Sequence, residues 1–231
     1  GIAVYALSEA YSLNKNARAP LKRISPTLKI AVPIVIEGQT NGGGWLYSYG
    51  SNGTGDLSVS GWNIQALKAA ELTKIKFSGL ARAKAKAIRY LEAAEDPNGT
   101  DGFYRYRVTD GNKGKLSLTG VGVYSARMLN SPSRLENKAL DLIISKNPKN
   151  FNPDRAYSWY YHSLAAFQKQ GKHWRDYNST YQQVMAKAQE KNGSWPASKG
   201  HGQVGQDGKL YSTCLCTLML EVYYRYLPSS K

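Results

Sequence analysis

Acidic residues are scarce in this chain: 16 Asp and Glu stand against 31 Lys and Arg over 231 residues, a formal net charge of +15. That imbalance disfavours cationic partners and suits acidic polymers or anionic surfaces. Cysteine is nearly missing. Cys214 and Cys216 are the only two; two positions apart on a helix they point to different sides, so both are expected as buried, unbridged thiols. The three histidines, His162, His173 and His201, have no partner at metal-ligand spacing, and no metal or other cofactor is expected. No apolar run approaches the ~20 residues of a membrane span; the stretch Ile30–Ile36 is short and carries Pro33. No nucleic-acid motif accompanies the basic residues, so no nucleic-acid partner is expected. The densest basic cluster, Arg82, Lys84, Lys86 and Arg89, is expected to be a solvated helix face. Alternation with period two is also missing over lengths that would build a sheet.

What is present is repetition. Leu57-Ser58-Val59-Ser60-Gly61 returns as Leu116-Ser117-Leu118-Thr119-Gly120, a period of 116 minus 57, or 59 residues. Tyr157-Ser158 and Tyr211-Ser212 fall in the same column as Leu57-Ser58. Ahead of that column stands a turn, Gln39-x-x-x-Gly43-x-Trp45, which recurs as Gln189-x-x-x-Gly193-x-Trp195 and, degenerately, as Asp101-Gly102-Phe103. Each unit therefore reads as outer helix, glycine-aromatic turn, inner helix. The recurring serines are expected to cap the inner helices rather than to act as nucleophiles.

With 42% hydrophobic residues over 231 positions, the chain is expected to form one domain, 1–231, with its own core. Inner helices are expected over 1–12, 58–73, 117–129, 154–170 and 211–226, and outer helices over 77–94, 133–145 and 174–191. An outer helix inside 21–38 should start near Ser25-Pro26 and kink at Pro33. Gly171 should end the fourth inner helix. Residues 14–20 read as a polar connector, and 97–114 and 193–208 as long loops. The fold class is all-α. Because the inner helices are apolar on more than one face, an α/α toroid is expected, an incomplete ring of about four to five inner/outer helical hairpins. Gly1 falls inside an inner helix, so further helices are expected upstream. The compartment is not fixed by these features; a soluble, extracytoplasmic setting is compatible with them.

The turns at Gln39 and Gln189, followed by the serine-column helices, resemble the squalene-hopene cyclase and protein prenyltransferase β-subunit superfamily over essentially the whole chain. The resemblance implies a toroid around a central cavity. It also implies that Gln39, Gly43, Trp45, Gln189, Gly193 and Trp195 are structural, each glutamine tying an outer helix to the next element. Zinc prenyltransferases carry an Asp-x-Cys before one inner helix and a histidine at the start of a later one. Here Asp154 matches the aspartate, but Ala156 and Ser212 stand at the other two ligand positions. The cyclase branch initiates with an Asp-x-Asp-Asp acid. Asp56 matches its first position, while Ser58 and Val59 replace the middle and last acids. The resemblance thus implies the family architecture without zinc prenyltransferase or cyclase chemistry, and no thioester Cys-Gly-Glu-Gln run occurs.

The remaining candidates follow from residue type and placement. Asp56, Asp154 and His162 are the available catalytic groups. Asp154, Ser158 and His162 share a helix face, but eight helical residues rise roughly 12 Å, too far for a relay. Tyr157, Tyr160, Tyr161, Tyr211 and Arg155 are the candidate ligand-binding residues, with Tyr223 and Tyr224 on the last inner helix. The expected partner is an apolar small molecule, or a peptide or protein, in the central groove. The alternative is an acidic glycan, bound or cleaved, with Arg105, Arg107 and Arg155 lining a cleft beside Asp154.

Overall fold

The computed structural model describes residues 1–13, 21–49, 52–109, 113–200 and 205–225. They are helical, with a single isolated bridge, Glu95 to Tyr104, and no strand among the described residues. The helices are α1 (Ile2–Leu13), α2 (Leu21–Glu37), α3 (Leu57–Leu72), α4 (Leu80–Ala94), α5 (Leu116–Met128), α6 (Glu136–Ser145), α7 (Ala156–Lys169), α8 (Gly171–Ala188), α9 (Gly205–Leu220) and the short α10 (Val222–Arg225); a 3-10 turn, Pro153–Arg155, leads into α7. They form two layers. Helices α1, α3, α5, α7 and α9 pack each on the next as an inner row. Helices α2, α4 and α6 each pack against the two inner helices that flank them, and α8 lies on α6 and α7.

Burial follows the layers. Helix α4 buries one stripe, Ala83, Ala87, Tyr90, Leu91 and Ala94, and leaves Arg82 and Arg89 in solvent, the pattern of an amphipathic outer helix. Helix α7 is covered on nearly every side: of its 14 residues only Tyr157 and Lys169 are not buried. Such a helix needs neighbours all round, and α5, α6, α8 and α9 supply them. Helices α5 and α7 approach closely at Gly120 of α5. A Cβ there would lie 2.6 Å from the His162 ring and 2.9 Å from the His162 backbone nitrogen on α7.

Several boundaries differ from the sequence expectations. Helix α2 runs unbroken through Pro26 and Pro33, because packing on α1 and α3 outweighs the local loss of hydrogen bonds. The serines Ser58, Ser117 and Ser158 of the repeat column do not cap. Asp56 is the N-cap of α3, its Oδ1 accepting from the Ser58 and Val59 amides at 2.9 and 3.4 Å. Ser58 donates its own hydroxyl to that carboxylate at 2.6 Å. A carboxylate is the stronger acceptor, and it sits where the chain is still extended. Helix α5 has no side-chain cap. Helix α7 ends at Gln170, which takes φ 60° and bonds its side chain to the Phe167 carbonyl, so Gly171 already opens α8. Helix α9 begins at Gly205, ahead of the expected Tyr211. Cys216 is buried, which pushes its thiol up to about 12, but Cys214 is exposed.

Candidate functional site

Glycine turns tie onto the inner helices α3, α5 and α9. Gln39 Nε2 donates to the Gly43 carbonyl at 2.8 Å and to the Ala83 carbonyl of α4 at 2.9 Å, joining the end of α2, the turn and the next outer helix. Gln189 Nε2 repeats the first bond, to Gly193, at 3.0 Å. Gly43 and Gly193 both take positive φ, 90° and 84°, a region that costs other residues energy. The indole of Trp45 donates to the Val35 carbonyl at 2.7 Å and that of Trp195 to Met185 at 2.9 Å, in each case ten residues back. The amides of Trp45, Phe103 and Trp195 donate to Ser60, Thr119 and Thr213 at 2.8, 3.0 and 3.2 Å. Small hydroxyl residues in the inner helices therefore hold the turns, a job that the serine-column reading had placed elsewhere.

The face of the inner row between α3 and α7 is filled, not hollow. Tyr160 and Tyr161 are fully buried. Trp62 of α3 stacks on Tyr160, centroids 5.5 Å apart, and meets Tyr161 edge-on at 5.6 Å. Gln65 Nε2 donates to the Tyr161 hydroxyl at 3.0 Å and Gln65 Oε1 accepts from Tyr160 at 3.3 Å. Tyr157 and Tyr124 pack on Tyr161 at 5.1 and 6.2 Å. Two of the expected ligand contacts, Tyr160 and Tyr161, are thus core residues. An inner helix surrounded by other helices has no free side for them.

An opening remains at the N-terminal ends of α1, α3 and α7. A pocket of about 380 Å³ lies between Leu46, Tyr47, Tyr49, Val59, Trp62 and Tyr157, with Ile2, Ser58 and Asn63 completing its walls beside Gly1. None of these side chains is charged. Four other cavities include charged side chains: Glu92, Glu95 and Arg134 between α4 and α5, Asp96, Asp101, Arg105 and Lys113 after α4, Lys149 and Lys187 beside α8, and Lys209 beside α9. Tyr47 is 82% exposed, a ring held at the rim. Of the expected ligand residues, Tyr157 lines this mouth. Tyr211 is half-buried beside it, its hydroxyl raised by burial first and then by Tyr47. Sequence reasoning missed Leu46, Tyr47, Tyr49 and Asn63; the Tyr-x-Tyr directly after the Gly43-x-Trp45 turn was the available signal.

The charged candidates play other parts. Asp56 is wholly buried behind Ser58, with Oδ2 lacking a hydrogen-bond partner. It faces the Tyr106 phenol without closing a bond, and pushes that group up to about 12 ahead of the effect of burial. Asp154 is exposed and clamps the 198–200 loop, accepting from the Ser198 hydroxyl and from the Lys199 and Gly200 amides at 2.9, 2.7 and 2.9 Å. Those bonds hold its carboxyl below the usual range. His162 is buried; its Nε2 meets the Leu116 carbonyl at 3.0 Å, which makes that nitrogen the donor of a neutral ring. Burial pulls it down to about 4 against the smaller upward pull of that bond. The three groups do not converge. Arg155 is exposed, Arg105 pairs with Asp96 at 3.4 Å, and Arg107 lies over the Tyr106 ring. No three His, Cys, Asp or Glu side chains come together to hold a metal among the described residues, and His201 and the Tyr224 side chain lie outside them. No helix among the described residues is long and apolar enough to cross a membrane. No protein-family model matches the chain, and no curated protein matches it.

Proposed function

We propose that this chain is an arc of an α/α toroid that binds an apolar molecule at the mouth of its inner row and has lost the zinc prenyltransferase and cyclase reactions of the fold it resembles. The observation that carries the reading is the pocket between Leu46, Tyr47, Val59, Trp62 and Tyr157, walled by uncharged side chains on a chain of net charge +15. Apolar pockets with a few polar groups are the usual form of small-molecule sites. A cavity of about 150 Å³ holds one benzene, so this one has room for two ring-sized groups or a chain of similar bulk. Loss of the older chemistry rests on Ala156 and Ser212 at the zinc-ligand positions and on Ser58 and Val59 at the acid positions. A hydroxyl is a poor zinc ligand and too weak an acid to protonate an alkene.

The test is fluorescence of the neutral dye N-phenyl-1-naphthylamine, which brightens in an apolar site. The wild-type chain should brighten it saturably. Y47S, at a solvent-exposed rim, and V59K, which places a charge in the wall, should each weaken that signal about tenfold without unfolding the chain. A signal that neither substitution changes, or no signal at all, sinks the reading. Competition by an apolar peptide would show that the occupant is a peptide segment instead.

A further inference from the structure

The polar atoms of the mouth pocket specify what kind of head group its occupant carries. Ser58 lines the pocket and donates its only hydroxyl proton to Asp56 Oδ1 at 2.6 Å. A carboxylate can only accept, so the Ser58 oxygen retains lone pairs alone. Tyr157 gives its proton to the Ser58 backbone carbonyl at 3.4 Å, another group that can only accept. Asn63 Nδ2 donates to the Val59 carbonyl at 2.9 Å, which turns Oδ1 toward Tyr49; Tyr49 must then donate to it, at 2.8 Å. The Tyr49 oxygen in turn takes the Gly1 nitrogen at 3.5 Å. The hydroxyls of Ser58, Tyr157 and Tyr49 thus have their protons committed away from the ligand. Behind Ser58, the Asp56 side chain is wholly buried and its Oδ2 has no hydrogen-bond partner.

Resting on the apolar-site reading above, we infer that the pocket selects molecules whose apolar part ends in a hydrogen-bond donor, an alcohol or a primary amine, over carboxylates and phosphates of the same chain. A donor head completes the Ser58 oxygen and extends the chain of bonds to Asp56. An anionic head placed on Ser58 finds only lone pairs at that oxygen, with the buried Asp56 carboxylate directly behind it. The overall charge of +15 pulls the other way. Its field is screened over about 8 Å at physiological ionic strength, whereas a head on Ser58 stands one hydrogen bond, about 2.8 Å, beyond an oxygen already bonded to Asp56. The local carboxylate decides.

The experiment is calorimetric titration of the chain with 1-decanol, decylamine, decanoate and decyl phosphate at neutral pH, each below its micelle concentration. Decanol and decylamine should bind at least about tenfold more tightly than the two anions. S58A should close that gap, and D56N, which keeps a capping oxygen, should weaken decylamine relative to decanol. Decanoate binding as tightly as decanol, or a gap that survives S58A, overturns the inference and leaves the apolar pocket standing. If no decyl compound binds while the naphthylamine dye still reports the mouth, the inference again fails alone. If the dye fails as well, both readings fall.

Discussion

His162 shows how one side chain of a catalytic type becomes a structural one. Its imidazole is enclosed between α5 and α7, bonded to the Leu116 carbonyl and pulled down to about 4, with Tyr177 edge-on at 6.5 Å and the Arg155 charge as a further small downward influence. An unfolded histidine titrates near 6.5. Between pH 6.5 and about 4 the unfolded chain therefore holds a proton that the folded chain refuses, and folding stability falls as pH falls through that window. The loss should total roughly 3 kcal/mol by the time the folded group also protonates. Urea titrations at half-unit pH steps should show this slope in the wild type and lose most of it in H162Q; an unchanged slope in the variant would contradict the burial argument. Glu136 adds acid sensitivity lower down. Burial pushes it up, but Arg127 and Lys169 together outweigh that and hold it below its ordinary value of 4.5. Its contribution is complete above pH 4.5 and is lost as pH drops through the depressed value.

At the scale of elements, the two glutamine turns differ in how much they tie together. Gln39 spans the end of α2, the turn at Gly43 and the Ala83 carbonyl of α4 with two bonds in a half-buried site. Among the described residues Gln189 closes only its own turn, in the open. Q39A should cost about 2 kcal/mol and Q189A under about 1, read as shifts in denaturation midpoint. Equal losses would mean that the link to α4 contributes nothing. This contrast was half legible beforehand. The spacing Gln-x-x-x-Gly-x-Trp marked both turns, because a side-chain amide four residues back can reach a carbonyl exposed by a positive-φ glycine. The reach from Gln39 to α4 depends on where a helix 44 residues later comes to lie, and no local pattern carries that. Helix ends were misjudged for a related reason. Asp56 rather than Ser58 caps α3, and Pro33 sits within α2, since tertiary contacts overrule the local preferences that boundary rules use.

For the whole molecule, the excess of positive charge acts on folding as well as on partners. With 31 basic and 16 acidic side chains, the compact state gathers like charges that the unfolded chain spreads apart. Raising sodium chloride from 20 to 200 mM should therefore raise the melting temperature by a few degrees, because the Debye length shrinks below the spacing of surface charges. A fall instead would mean that ion pairs such as Arg127–Glu136–Lys169 outweigh the repulsion.

The amino-acid sequence on its own determined the all-α class, the inner and outer alternation and the two glycine turns, since each depends on periodicity or on a bond between residues close in the chain. Only the tertiary structure decided that Tyr160 and Tyr161 fill the face of the inner row, that Asp56, Asp154 and His162 stand apart, and that the opening lies at Tyr47 and Trp62. A tyrosine on an apolar helix reads the same whether it lines a cavity or plugs one. What distinguishes the two is how near α3 and α7 approach across α5, a distance fixed by packing between segments almost a hundred residues apart.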